Sequence, residues 1–489
     1  MKYLYKELEE YGQSDYYPFH MPGHKRNKVY TTSMYESDIT EIEGFDNLHH
    51  PEGLIKDAQI RAARLFGSDE TFFLINGSTC GILSAICATT DRFGTILMAR
   101  NCHKSVYHGV LLNNLQAKYV YPEYQEEYEI NGGIFPEDIK DELEKDSSIQ
   151  VVIITSPTYD GVVSNIDEIC SIAHAKGIPV IVDEAHGAHF PLDEKAPKSA
   201  IKCGADVVIH SAHKTLPSLT QTALIHVNGK LVNKEKLKMY LSIFQSSSPS
   251  YLLMGSIDQC MDLLEKRGSI LFEKFQQNLK NFYDKIKNLQ RIKIVSKEII
   301  GKNSIEDFDM AKILISVKNL HLSGKEVYDI LRERYHLQME MASSNYVIGI
   351  TTIMDEEQGF CRLADALFEI DNMFIEKDEI DEKYKEYKED KEYKEDITVR
   401  KLKKCEEVKY TIGDASLKET KTMYLEESEN KVSAEFLYVY PPGIPILVPG
   451  EMISRQALEQ IFLYKKYNLS IQGLADISSR MIRVIDDET

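Results

Sequence analysis

Short runs of apolar, largely β-branched residues recur through the first half of the chain, and each ends in polar residues that can do chemistry. Thr71-Phe72-Phe73-Leu74-Ile75 runs into Asn76-Gly77-Ser78-Thr79, and Ile96-Leu97-Met98-Ala99 into Arg100-Asn101-Cys102-His103. Val151-Val152-Ile153-Ile154-Thr155 leads to a turn at Ser156-Pro157, and Pro179-Val180-Ile181-Val182 stops at Asp183. Val207-Val208-Ile209 passes through His210 and Ser211 to Lys214. Runs of this length and composition read as buried strands. Helical segments lie between them, such as the one with Leu54, Ala58, Ala62 and Leu65 on one face. Strands alternating with helices predict an α/β fold with a mostly parallel central sheet. Such a sheet gathers its ligands at the carboxyl ends of its strands.

Each of these strand ends has a bland reading beside a chemical one. Lys214 taken alone is a lysine just past a strand, reaching solvent on its long stem. If it is desolvated, the same amine loses its charge and becomes a nucleophile. Gly77, Ser78 and Thr79 precede a helix, so they fit an anion cradle built from free N–H groups and hydroxyls. They fit an ordinary helix cap equally well. His103 lies in a strand-to-helix loop, where a flat imidazole can stack on a planar ligand or simply hydrogen-bond its loop. Asp183 ends a buried strand, a costly place for a carboxylate without a cationic or N–H partner, and no basic residue adjoins it. Lys214 and Asp183 are about one strand–helix–strand unit apart, which aims both into one crevice. An amine, a buried acid, a stacking ring and a phosphate cradle together match one ligand, pyridoxal phosphate. Its aldehyde takes a lysine as a Schiff base and its ring nitrogen pairs with an acid.

A longer set of motifs then carries a family resemblance. In order these are Phe19-His20-Met21-Pro22-Gly23-His24-Lys25, Asn76-Gly77-Ser78-Thr79, Asn101-Cys102-His103-Lys104-Ser105, Pro157-Thr158-Tyr159-Asp160-Gly161, Asp183-Glu184-Ala185-His186-Gly187 and Ser211-Ala212-His213-Lys214-Thr215. The set resembles the ornithine/lysine/arginine decarboxylases with an aspartate-aminotransferase-type fold, in a short form without an amino-terminal wing domain. With Pro441-Pro442-Gly443-Ile444-Pro445 near the end, the likeness spans nearly the whole chain. The resemblance implies that Lys214 is the Schiff-base lysine, Asp183 the partner of the pyridine nitrogen and His103 the stacking ring. It assigns the phosphate to Ser78, Thr79 and Ser211 with His213 beside it, and puts His186 near the ring hydroxyl. It further implies a homodimer or higher oligomer with its sites at the interface, where Ser247 of the Phe244–Pro249 loop would lend a hydroxyl to the neighbour's phosphate. The implied reaction is decarboxylation of a basic amino acid, arginine or lysine ahead of ornithine, with Lys214 or His213 returning a proton to Cα. Competing readings are another reaction of the same fold, such as transamination or aldol cleavage, and a non-catalytic regulatory homologue.

Composition narrows the classes. A formal net charge of −19 over 489 residues argues against a nucleic-acid binder, which needs a basic patch. The eight cysteines are scattered without a CxxC pair or zinc spacing, so reduced core thiols of a cytoplasmic protein are expected and no metal. The amino terminus lacks the apolar core of a signal peptide, and no apolar run approaches bilayer length. His20, His24, Lys25 and Arg26 form a basic loop that reads equally as a surface turn or as an anion or subunit contact.

The expected division is an arm over 1–45, a cofactor-binding domain over 46–255, a small α+β domain over 256–375, a charged linker over 376–432 and a carboxyl-terminal domain over 433–489. The Lys/Glu/Asp/Tyr run from 376 to 404 reads as a solvated helix or linker. Glu451 is the first candidate for a distal cationic group of the substrate, with Glu340 and Asp160 as competitors. A salt bridge within its own domain is the bland alternative for Glu451.

Overall fold

A computed structural model describes residues 15–19, 39–41, 45–320, 322–384, 408–440, 443–467 and 469–486; for Pro18 and residues 375–384 only the backbone is described. His20, His24, Lys25, Arg26, Pro441, Pro442, Cys405 and most of the charged run lie outside them.

Seven strands form the central sheet: β1 Glu70–Leu74, β2 Thr95–Ala99, β3 Gln116–Val120, β4 Ile149–Thr155, β5 Val180–Asp183, β6 Val207–His210 and β7 Ala223–Val227. Their spatial order is β1-β7-β6-β5-β4-β2-β3. β6, β5, β4, β2 and β3 run parallel, and β7 is antiparallel to both β6 and β1. Every residue of β2, β5, β6 and β7 is buried, as strands covered by helices on both faces must be. Helices α1 Leu54–Phe66, α2 Gly77–Thr89, α3 Lys104–Leu112, α4 Ile166–His174 and the single turn α5 Ala212–Thr215 follow strands or flank the sheet. The α/β expectation therefore holds, with β7 as the one reversed strand and β1 beyond it running in the direction of the parallel set.

The 36-residue helix α6, Tyr251–Ile286, leads out of this layer. Its start is fixed by Ser250, whose hydroxyl accepts from the Leu253 N–H, so the boundary expected at 255 falls inside the helix. The small domain is a four-stranded sheet of β8 Lys293–Ile294, β9 Lys312–Ser316, β10 Met341–Ala342 and β11 Tyr346–Ile350, in the order β8-β9-β11-β10. Helix α7, Gly324–Tyr335, starts with a capping box between Ser323 and Glu326, and α8 spans Glu357–Tyr384.

The carboxyl-terminal unit holds β12 Thr420–Tyr424, β13 Leu437–Val439, β14 Ile444–Leu447, helix α9 Arg455–Lys466, β15 Ile471–Gln472 and β16 Met481–Ile485. β12 pairs along its whole length with β16. Residues 408–432, expected in the linker, thus include a strand of this unit. Its separate core contains Leu437, Leu447, Ile453, Leu458 and Ile461. It reaches back to the central sheet through Arg100, which follows β2 and donates to the Pro445 and Ile446 carbonyls and to Glu451. Among the described residues, no helix is long and apolar enough to cross a membrane.

Candidate functional site

The carboxyl ends of β2, β4, β5 and β6 open into one cavity of about 280 Å³, closed from the other side by Glu340 of the small domain and by Tyr440 and Ile444 of the carboxyl-terminal unit. Gly77, Ser78, Thr79, His103, Asp183, His186, Ser211, His213 and Lys214 all line it. Residues that the sequence holds more than a hundred positions apart share its wall because parallel strands end at one edge.

Asp183 is the last residue of β5 and pairs with Ile209 of β6. It is buried, and its Oδ1 accepts the Ala185 N–H at 3.2 Å. Burial pushes its pKa up, while the nearby Lys214 charge and the Ala185 N–H pull the other way. Its neighbour Glu184 turns away from the cavity: its carboxylate meets the Ser199 hydroxyl, the Ala200 N–H and His210 Nε2 at 2.7–2.8 Å. The paired acids of the motif thus split, one facing the cavity and one tying the layers of the domain together.

Lys214 stands on α5, four residues past the end of β6, rather than on the strand itself. Burial lowers its pKa, with the Asp183 and Glu340 carboxylates opposing that shift. Its Nζ lies 2.9 Å from His186 Nε2. A half-buried amine of lowered basicity near a carboxylate is a nucleophile in waiting.

His103 is the N-cap residue of α3, and its Nδ1 accepts from the Ser105 backbone N–H. Burial, aided by Lys214 and Lys104, drops its pKa to about 3, so the ring is neutral with its proton on Nε2. Gly443, in the left-handed region at φ +85°, packs against this ring; a Cβ there would come within 3.3 Å of His103 Cδ2 and Nε2. His213 donates from Nδ1 to the Thr222 carbonyl at 2.8 Å, which leaves Nε2 as its basic nitrogen. Burial lowers its pKa to about 4.

The anion cradle differs from an ordinary cap. Asn76 is the N-cap residue of α2 and makes no side-chain cap bond; its Oδ1 instead accepts the Ser246 N–H. Gly77 adopts φ +75°, and the Ser78 and Ser211 hydroxyls lie 2.6 Å apart. Asn101 Oδ1, buried on the same wall, has no partner among the described residues, and burying such an atom unsatisfied costs about 1–3 kcal/mol. A planar, phosphorylated ligand fits the chemistry of this set: hydroxyls and helix N–H groups for an anion, with an acid, a neutral ring and an amine on the same wall. Among the described residues, no cluster of His, Cys, Asp or Glu is arranged to hold a metal.

The remaining candidates divide. Ser247 is exposed and does not line its own chain's cavity. Glu451 does not face the cavity either: it is buried against Arg100 Nη2 at 3.2 Å and accepts the Val448 N–H at 3.0 Å. The structure thus corrects its candidacy as a substrate contact in favour of a link between domains. Glu340 and Asp160 do line the cavity, Glu340 bonded to the Tyr159 hydroxyl and Asp160 to that of Tyr346. Burial raises Asp160 to about 6. Sequence reasoning missed Lys312, whose Nζ lies 2.7 Å from His186 Nδ1. The available signal was a lone lysine inside the apolar strand Ala311-Lys312-Ile313-Leu314-Ile315.

Comparison with known proteins agrees with this geometry. The family model described as Orn/Lys/Arg decarboxylase, major domain, matches residues 3–349, and its carboxyl-terminal domain model matches residues 400–472. An arginine decarboxylase of Bacillus subtilis is 32% identical, with 99% of this chain and 98% of that protein covered. One from Bacillus anthracis is 32% identical over 99% of this chain and 97% of its own length. Among solved structures, a Francisella novicida lysine decarboxylase superposes with a TM-score of 0.78 at 21% identity, over 98% of this chain and 80% of that one. Matches that run almost end to end, at this identity and over both domain models, place the chain in the Orn/Lys/Arg decarboxylase family.

Proposed function

We propose that this protein is a pyridoxal-phosphate-dependent decarboxylase of a basic amino acid, arginine or lysine ahead of ornithine. The observation that carries the reading is the shared cavity lined by half-buried Lys214 and buried Asp183 together with a hydroxyl-bearing helix start and two further carboxyls. Lys214 would hold the cofactor through its amine and Asp183 would keep a proton on the ring nitrogen. His103 would cover a ring face, and Gly77, Ser78, Thr79 and Ser211 would hold the phosphate. When bound, the cofactor supplies the electron sink that makes loss of carbon dioxide from an amino acid feasible.

The chain's own groups supply the rest. Asp183 is aligned by the Ala185 N–H, so its carboxylate meets a cation without reorganising. His213, fixed by the Thr222 carbonyl, and Lys214 are the two groups able to deliver a proton to Cα. Glu340 and Asp160 form an acidic side wall suited to a substrate's distal ammonium or guanidinium. The carboxyl-terminal unit contributes Tyr440 and Ile444 to the cavity wall.

The same reading makes the protein a cytoplasmic source of amines for polyamine synthesis. It works as a homodimer, Ser247 of one copy completing the phosphate site of the other. The deciding experiment incubates the loaded enzyme with an equimolar mixture of arginine, lysine and ornithine and identifies the products. Agmatine or cadaverine with carbon dioxide is expected. Keto acids formed at the cofactor's expense, with no carbon dioxide, would move the protein to another reaction of the same fold.

A further inference from the structure

Lys312 is wholly buried in β9 of the small domain, an uncommon place for a lysine. Its stem passes Gly161, at φ +103°, where a Cβ would come within 3.0 Å of Lys312 Cγ. It ends 2.7 Å from His186 Nδ1, while Lys214 Nζ sits 2.9 Å from His186 Nε2. One imidazole thus stands between two lysine amines.

Proton accounting limits what this trio can be. A neutral imidazole has one N–H and one lone pair. It can accept from one ammonium, but its other nitrogen then offers a proton, which only an uncharged amine can take. Were His186 protonated, both amines would have to be uncharged. In every arrangement at least one of the two lysines is a free base. The other groups facing the trio are Asp183 at the end of β5, Tyr159 and Asp160 in the turn after β4, Glu340 beside β10, and His103 and His213 on the cavity wall. Lys312 lies 5.8 Å from the Tyr159 ring centroid, and its charge is felt by Asp160, an environment that suits a cation. Under the proposed function Lys214 is the amine that must be uncharged to bond an aldehyde, and the Tyr159 ring and Asp160 make Lys312 the one suited to carry a charge.

We propose that Lys312 is a positioning residue: its ammonium donates to His186 Nδ1, which fixes the imidazole proton on Nε2 and makes that nitrogen the donor that keeps Lys214 an uncharged amine. The small domain thereby sets the proton state of a nucleophile carried by the large one. Lys312 is not among the residues that line the cavity; its effect passes through one ring.

The inference rests on the cofactor reading, and the test separates the two. The enzyme loaded with pyridoxal phosphate is titrated with alkali, following its visible absorbance band, as the natural sequence and as Lys312→Met and Lys312→Arg. Removing the cation lets the imidazole proton move to Nδ1 and frees Nε2 to accept, so the midpoint in Lys312→Met should rise by about one pH unit or more. Lys312→Arg, which keeps the charge and a donor, should stay near the natural midpoint. An unchanged midpoint in Lys312→Met overturns the proposal. Should that variant not fold, nitrogen-15 NMR of the histidine-labelled natural protein, assigned with His186→Gln, decides. A pyrrole-type Nε2 with a pyridine-type Nδ1 is expected, and the reverse tautomer contradicts it. A natural protein that shows no band at all with pyridoxal phosphate sinks the decarboxylase reading instead, while the tautomer still judges Lys312.

Discussion

Glu340 reaches the cavity from the small domain and is bonded to the Tyr159 hydroxyl. A carboxylate there attracts the distal cation of a basic substrate, whereas its amide has the same shape without the charge. Glu340→Gln should therefore raise KM about tenfold or more, a loss of ~1.4 kcal/mol, with a smaller change in kcat. Steady-state kinetics on whichever amine precursor is preferred will check this. A fall in kcat at constant KM would assign Glu340 to the chemistry instead. At this scale the sequence was legible wherever a residue sits at the tip of a strand. Asp183, His103 and the Gly77–Thr79 cradle could be read because period, burial and turn signals all lie within a few residues of them. Lys312 could not, since its partner comes from another domain and no local pattern links position 312 to position 186, and Glu340 could be named only as one candidate among three.

Among the elements, the link between β2 and the carboxyl-terminal unit carries the clearest energetic statement. Arg100 and Glu451 are 5% and 3% exposed, and Arg100 spans the gap to the Pro445 and Ile446 carbonyls. Removing one partner of a buried pair leaves an uncompensated charge, at a cost of about 3–5 kcal/mol. Glu451→Ala should lower the urea midpoint accordingly while leaving KM of the surviving folded enzyme near its natural value. A raised KM with unchanged stability would restore Glu451 as a substrate contact. The sequence placed Glu451 next to a proline-rich loop but could not reveal its partner 351 positions upstream. Element boundaries shifted for similar reasons. Ser250 starts α6 ahead of its apolar pattern, and β12 is recognisable as a strand only through its pairing with β16.

For the molecule as a whole, three parts of the chain converge on one cavity, the first two sharing a continuous core and the third packed around its own. The central sheet brings Lys214 and Asp183, the small domain brings Glu340 and Lys312, and the carboxyl-terminal unit brings Tyr440 and Gly443. The parallel sheet was legible because its inner strands are mostly apolar and, in β2, β5 and β6, wholly buried, and the site at its edge follows from topology. The convergence of the other two parts depends on long-range packing that no window of sequence encodes. What unites them is the claim that the amine at position 214 is where pyridoxal phosphate attaches. The most direct measurement treats the loaded protein with borohydride, which fixes the cofactor to the amine it is bonded to, and maps the labelled peptide by mass spectrometry. The account predicts a phosphopyridoxyl group on Lys214 and none in Lys214→Ala; a label on Lys312 or any other lysine, or none on the natural protein, would contradict it.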